Sequence, residues 1–421
     1  MSSSTPSPLE RKTASRRRFL NYLAASPVFA GMAHSALAAS GGLSPTDASP
    51  FSIEEGDLRI WDNELRNAAI KSPAEALDLF DIELAARRAV APAHWGFMTT
   101  GTDANMTLRA NRADFQKVGL VPRRMRGPIA TTDSLKTTIL GQQFDSPIFA
   151  CPCGGAKAFD NNGPEALAKA TAATNNLQML AIGGLEDAAK ATGGKIPWAQ
   201  FYCQPDWDTN AKAFKKAEDV GAKVLVLTID IIGMRKVATA ERLRRSDGRK
   251  CIECHDTPMG GGNGTSAILA MKHDYDWDFI RRVKDTTKMK LVLKGIMSPE
   301  DGALAVKYGV DGVFVSNHGG RSEDFGVSTI SMLPEVVKAV NGKAAVLLDG
   351  GIRRGVDVAK AMAMGATAVG IGRPWHWGLG SFGEAGVRRV FELLRTETLF
   401  ALHQAGAATL KDLSPAMIRR L

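Results

Sequence analysis

The hexapeptide Ser316-Asn317-His318-Gly319-Gly320-Arg321 ends the apolar run Gly312-Val313-Phe314-Val315 and sets a titratable imidazole beside a permanent cation. Histidine exchanges a proton near neutral pH, arginine forks a carboxylate with two parallel bonds, and the glycines let the backbone approach a ligand closely. That pair suits a small anionic substrate from which a proton must be removed. A second cluster joins Asp349-Gly350-Gly351-Ile352-Arg353-Arg354-Gly355 to Gly370-Ile371-Gly372-Arg373-Pro374. Successive glycine/arginine turns offer backbone N–H groups and guanidinium forks, which is phosphate-binding chemistry. A third cluster, Cys251-Ile252-Glu253-Cys254-His255, has the spacing of a covalent haem c attachment, and Cys251 and Cys254 can equally pair as a disulfide in an oxidising compartment or remain thiols. Zinc would need more ligands than these, so no metal site is read here. Cys151, Cys153 and Cys203 lie in or beside apolar runs and read as small core residues.

The elements that must position these groups follow one rhythm. Short apolar or β-branched runs occur at Ser146–Cys153, Gln178–Gly183, Trp198–Tyr202, Val224–Asp230, Lys290–Ile296, Gly312–Asn317, Ala345–Gly351 and Ala368–Arg373. Most are separated by helical patterns such as Pro164–Asn175, Thr209–Val220, Trp277–Asp285 and Pro299–Tyr308. Eight near-continuous apolar strands alternating with helices predict an α/β fold, a closed (β/α)8 TIM barrel over residues 146–421. An open doubly wound sheet would want a Gly-x-Gly-x-x-Gly turn after its first strand, and none is present. Residues 58–145 read as an N-terminal helical cap, with helical spacing over Glu64–Ile70, Pro73–Phe80 and Ile82–Val90. The irregular insertion at about 233–272, after the fourth strand, reads as a lid.

In such a barrel the strand carboxyl ends build the site. They carry Cys153-Gly154, Gly183-Gly184, Gln200 and Tyr202, Thr228 and Asp230, Lys294, Asn317-His318, Asp349-Gly350-Gly351 and Gly372-Arg373.

The chain as a whole narrows the classes. Its 421 residues, 44% hydrophobic and 23% charged, can bury a large core. Of the formal charge of +9, residues 1–38 supply about +4 through five Lys/Arg and one acid, and the +5 left on the remainder is modest and scattered, which argues against nucleic acid as a partner. Ser15-Arg16-Arg17-Arg18-Phe19-Leu20, a moderately apolar stretch from Tyr22 to Leu37 and the small-x-small Ala36-Leu37-Ala38 make residues 1–38 a twin-arginine export signal. Residues 39–57, rich in Ser, Gly and Pro, are a linker. No run approaches ~20 apolar residues, so the mature chain is expected to be periplasmic or otherwise exported, without an integral membrane segment.

Ser316-Asn317-His318-Gly319-Gly320-Arg321, Leu293-Lys294-Gly295, Asp349–Gly355 and Gly372-Arg373-Pro374, extended by Thr107-Leu108-Arg109-Ala110-Asn111-Arg112 and Gln200-Phe201-Tyr202, resemble the FMN-dependent α-hydroxy-acid oxidase and dehydrogenase family. The resemblance covers about Ala91 to Leu421. It implies FMN as cofactor and oxidation of a small L-2-hydroxy acid, lactate-like, to the 2-oxo acid. It implies His318 as the base, Asp230 as the group that orients it, Arg321 as the carboxylate fork, Lys294 at the flavin N1/O2 edge, and Tyr202 as a hydrogen-bond donor to substrate. Gln200 and Thr228 would bind the flavin pyrimidine edge, and Gly154, Asp349, Gly351, Arg353, Gly372 and Arg373 would complete the cofactor site. Three departures concern substrate. Phe97 stands where the family has a carboxylate-binding tyrosine, the second carboxylate arginine matches Arg235 with Lys236 as competitor, and Gly183-Gly184 replaces a longer loop carrying a hydroxyl. Gly154, where dehydrogenases have glycine and oxidases alanine, favours an acceptor other than oxygen, a membrane quinone or a soluble cytochrome for an exported enzyme. Relatives are often oligomers, so a homo-oligomer is expected. The other reading from the same residues is an FMN-carrying binding or electron-relay protein without hydroxy-acid turnover.

Overall fold

The computed structural model describes residues 70–233, 235–248 and 276–421. The export signal, the 39–57 linker, most of the Glu64–Ile70 pattern and the Cys251, Cys254, His255 cluster lie outside the described residues. Helices α1 (Leu79–Ala89), α2 (Pro92–Thr99) and α3 (Met106–Gln116) come first, followed by the short strands β1 (Val118–Leu120), β2 (Thr137–Ile139) and β3 (Gln142–Phe144). The barrel then alternates β4 (Ile148–Ala150), α4 (Gly163–Ala173), β5 (Leu177–Ala181), α5 (Leu185–Ala191), β6 (Trp198–Phe201), α6 (Trp207–Val220) and β7 (Val224–Thr228). Helices α7 (Ala238–Arg245) and α8 (Trp277–Thr286) precede β8 (Lys290–Ile296), α9 (Pro299–Lys307), β9 (Gly312–Val315), α10 (Thr329–Val340), β10 (Ala345–Leu348), α11 (Gly355–Ala363), β11 (Ala368–Ile371) and α12 (Arg373–Ala405).

Strands β4 to β11 pair in parallel with their neighbours, and β11 returns to β4, so the sheet closes. Each of the eight apolar runs supplies one strand. Closure leaves no unpaired edge, and helices cover the outside, which is why strands such as Val224-Leu225-Val226-Leu227-Thr228 are buried on both faces. Phe149, Met179, Trp198, Val226, Val292, Phe314 and Leu347 pack together with Ile139 of the β2/β3 hairpin. That hairpin turns through Leu140 and Gly141, both at positive φ, the conformation a two-residue hairpin turn requires. At Gly370 a Cβ would lie 2.4 Å from the Phe149 ring, so the interior leaves no room there for a side chain.

The N-terminal segment departs from the expected helical cap in two places. Pro73–Phe80 is not one helix: a 3-10 turn, Pro73–Glu75, is followed by extended chain with Leu77 exposed, and only Leu79 and Phe80 belong to α1. The helix starts at Leu79 because the Asp78 carboxylate accepts from the Phe80 and Asp81 amides, a cap that ends the preceding chain in extended conformation. From Val118 onward the segment is strand and loop; β1 pairs with the C-terminal β12 (Ile418–Arg420). Of the insertion at about 233–272, the described part contains α7, and residues 249–272 lie outside the described residues.

Helix α3 positions the site. Its inner stripe is Leu108, Asn111, Arg112 and Phe115. It lies across the turns after β9 and β10 so closely that a Cβ on Gly320 would sit 2.6 Å from the Leu108 amide nitrogen and one on Gly351 2.0 Å from the Asn111 carbonyl. Asn111 and Asn317 exchange two 2.8 Å hydrogen bonds, and buried Arg112 pairs with Asp357 at 2.8 Å. Gly320 also sits at φ +75. A Gly320→Ala substitution should therefore destabilise the protein by about 2–4 kcal/mol through left-handed strain and backbone collision. Denaturant unfolding measures it, and a change under about 0.5 kcal/mol would mean that α3 does not press on this turn.

Candidate active site

The β9 strand delivers a buried Ser316-Asn317 pair and then reverses through His318, Gly319 and Gly320, all at positive φ, 56, 65 and 75°. A histidine in the left-handed region is uncommon and costs about 1–3 kcal/mol, held here by the Asn317–Asn111 exchange and by the His318 N–H donating to Ser316 Oγ at 3.1 Å. This turn swings the imidazole toward β7 and β8. Its Nδ1 lies 2.9 Å from Asp230 Oδ1 and 3.3 Å from Lys294 Nζ, while Nε2 faces the Tyr202 hydroxyl at 3.5 Å. Lys294 Nζ is also 3.5 Å from Asp230 Oδ2, and both side chains are buried. Because Asp230 accepts, the imidazole proton belongs on Nδ1 and the Nε2 lone pair faces the Tyr202 hydroxyl.

The electrostatics favour a free base. Withdrawal from solvent pushes the His318 pKa down and the neighbouring Lys294 cation pushes it further, to about 4, against the opposing pull of Asp230. Burial alone would raise the Asp230 carboxyl, but Lys294 and His318 reverse that and hold it at about 2. Burial would likewise lower Lys294, yet Asp230 and Asp349 raise it above the ordinary lysine value, so it stays charged. Burial lifts the Tyr202 phenol to about 12, which keeps it a donor. At neutral pH the cluster is a neutral imidazole, an anion, a cation and a phenol.

Three guanidiniums surround this group without an ion pair to any carboxylate among the described residues: Arg235, Arg321 and Arg373. Arg321 stacks on the Phe97 ring at 4.9 Å, its Nη1 donating to the Phe97 and Thr100 carbonyls. Arg235 Nη1 donates to the Arg321 carbonyl at 2.7 Å, so Arg235 stands at the site, whereas Lys236 is exposed. Arg373 donates to the Gly319 carbonyl at 2.9 Å and to the same Thr100 carbonyl at 3.1 Å, leaving its buried Nε without a partner. Burial and Arg235 lower the Arg321 pKa to about 10; burial, Arg321 and Arg353 lower that of Arg373 to about 9. Both remain charged at neutral pH, and cations held so close demand anionic ligands.

The residues present fit a flavin mononucleotide. Gln200 and Thr228, buried and joined by a 2.9 Å hydrogen bond, offer amide and hydroxyl groups at the β6 and β7 ends. Asp349 Oδ1 is buried without a partner, and its Oδ2 receives the Cys151 thiol at 3.5 Å. A Cβ on Gly154 would meet nothing within 4 Å, so that wall is open. The N-terminus of α11 is already filled, since Asp357 accepts from the Arg353 and Arg354 amides and Glu397 from that of Gly355. The first turn of α12, beginning at Gly372, has no side-chain cap and no acidic residue, so its positive end is not neutralised by a side chain of its own. Arg353 stacks on Trp377 at 4.7 Å beside it. Burial holds the Asp349 carboxyl above the usual carboxylate range against the pull of Lys294.

Sequence reasoning assigned no role to Asn111, Thr100 or Cys151. Asn111 had a signal, a polar residue within the apolar stripe of α3, but nothing in the sequence announces that one backbone carbonyl, that of Thr100, receives two arginines.

The comparisons with known proteins agree on one family. The model of the FMN-dependent dehydrogenases matches residues 86–420. The 2-hydroxyacid oxidase 2 of Mus musculus is 34% identical over 82% of this chain and 98% of its own length. An L-lactate oxidase from Nostoc sp. is 34% identical over 83% and 99%. Among solved structures, mandelate oxidase with (S)-4-hydroxymandelic acid superposes with a TM-score of 0.73 at 32% identity, covering 80% of this chain and 97% of that one.

His318 should titrate near pH 4, and Lys294→Met should move that titration upward, because the cation that disfavours the imidazolium is gone while Asp230 remains. Histidine NMR across pH 3–8 reads both values; an unchanged midpoint in the variant would mean that Lys294 does not set the base.

Proposed function

Since this chain belongs to the family of FMN-dependent α-hydroxy-acid oxidoreductases, we propose that it oxidises a small, lactate-like L-2-hydroxy acid, with His318 as the base. The observation that carries this reading is the Asp230–His318 contact of 2.9 Å at Nδ1, which leaves Nε2 facing the Tyr202 hydroxyl at 3.5 Å. Bound FMN would accept the two electrons that leave the substrate together with the hydrogen that His318 does not take. Arg321 retains Nε and Nη2 for the substrate carboxylate after its Nη1 is spent on the Phe97 and Thr100 carbonyls. Tyr202 donates a hydrogen bond to the substrate, and Nε2 of His318 takes the departing proton. Asp230 then stabilises the imidazolium, as an anion bonded to Nδ1 must. Gln200, Thr228 and Lys294 hold the cofactor's pyrimidine edge, and the α12 N-terminus with Arg353 and Arg373 its phosphate.

Phe97 brings no hydroxyl to the carboxylate, and its ring supports Arg321 from below instead, a cation–π contact of 4.9 Å. Arg235 is the second cation within reach. Together these favour a substrate held mainly by guanidinium bonds. Gly154 supports an acceptor other than oxygen, a quinone or a cytochrome, and residues 1–38 support export through the twin-arginine route to the periplasm.

Anaerobic addition of lactate, glycolate or mandelate should bleach the flavin, and His318→Gln should lower kcat by about 10²–10⁴-fold while keeping FMN. Bound FMN that no such acid reduces would favour the electron-relay reading. Replacing Arg16 and Arg17 by lysine should leave the protein in the cytoplasm; recovery of that variant from the periplasm would contradict the export reading.

A further inference from the structure

His376, in the first turn of α12, takes no part in the chemistry above. Its ring is buried, 3% exposed, stacked on Trp375 at 3.6 Å and edge-on to Phe159 at 4.8 Å. Nδ1 lies 3.3 Å from the Gly372 carbonyl and Nε2 3.3 Å from the Gly154 carbonyl, 222 residues away in sequence. Burial lowers its pKa to about 3, so the ring is neutral and carries one N–H for two acceptors. The Gly372 carbonyl already receives the His376 backbone N–H at 3.4 Å. Among the described residues the Gly154 carbonyl has no other donor, so the imidazole proton belongs on Nε2.

The consequence falls on the wall of the cofactor site. Gly154 and Gly155 follow β4, and Gly155 sits at φ +80, a backbone that nothing in its own side chains holds. The loop has local backbone bonds on either side, Cys153 N to the Cys151 carbonyl and Ala158 N to the Gly155 carbonyl. Among the described residues, His376 is the one side chain that holds the plane of the Gly154–Gly155 peptide. Turning that carbonyl toward α12 turns the Gly155 N–H the opposite way, because the two are antiparallel in a trans peptide.

We propose that His376 is a positioning residue for FMN: by one Nε2–H bond to Gly154 it ties the loop after β4 to the phosphate turn at Gly372, so that both walls of the cofactor site hold one geometry. This rests on FMN binding, which the wild-type protein reports independently. Its reach is the affinity and potential of the flavin, not the capture of substrate, which Arg321 performs on a different loop.

The test compares three variants of the full-length holoprotein. His376→Leu keeps the volume and removes the donor; it should bind FMN about tenfold more weakly, change the midpoint potential of the bound flavin, and lower kcat with little change in KM. His376→Gln places an amide N–H near the Nε2 position and should restore both properties to within about twofold. His376→Asn places its amide near Nδ1, facing Gly372, and should behave like the leucine variant. Equal FMN affinity and potential in His376→Leu and wild type, or a glutamine variant no better than leucine, would overturn the proposal, as would a loss of thermal stability alone. Nitrogen-15 NMR of the wild-type imidazole gives a readout independent of any variant: the proton should be on Nε2, and finding it on Nδ1 would overturn the assignment as well.

Discussion

A single buried carboxylate, Asp230, organises the mouth of this barrel. Isolated in that environment it would take up a proton, and the imidazole beside it would lose both its orientation and its reason to hold the Nδ1 tautomer. Lys294 prevents this by lying 3.5 Å from one oxygen while His318 binds the other at 2.9 Å. The same lysine makes the imidazolium costly, so the histidine waits as a free base with its lone pair outward. Even the backbone yields to this contact: Gly295 sits at φ +117, and a Cβ there would be 2.5 Å from that of Asp230. The residue after Lys294 must be glycine for the carboxylate to reach both partners.

Around this balanced trio lies an unbalanced one. Arg235, Arg321 and Arg373 are enclosed with carbonyls as partners, and two of them share the carbonyl of Thr100. Guanidiniums so placed repel each other, and the fold holds them only because α3, the Gly320 turn and α12 are rigidly packed. Anions placed among them would relieve that repulsion, so the arrangement favours negatively charged ligands. Carboxylates elsewhere keep that selectivity local. Asp357 and Glu397 fill the N-terminus of α11, whereas the first turn of α12 has no side-chain cap.

Much of this was legible in the chain. Eight apolar runs correspond to eight strands, because a strand buried on both faces must be apolar throughout and cannot be mistaken once helices separate its copies. The strand ends then gave His318, Asp230, Lys294, Arg321 and Tyr202 as neighbours, since a parallel barrel sends every carboxyl end to one rim. What was misread depended on single bonds. Pro73–Phe80 has helical spacing, yet the Asp78 cap starts the helix at Leu79. The cap on the α11 N-terminus comes partly from the distant Glu397, which the local glycine/arginine pattern does not show.

The order and apolar continuity of the elements, the residue types at their ends and the glycines that must turn were determined by the sequence alone, because they follow from local conformation and from which side chains water rejects. Which protonation states those residues adopt, which arginine meets Phe97, and which carbonyl His376 holds were decided only in the folded chain. Those properties are sums over charges and dipoles brought together from residues as far apart as Gly154 and His376, and no local stretch contains them.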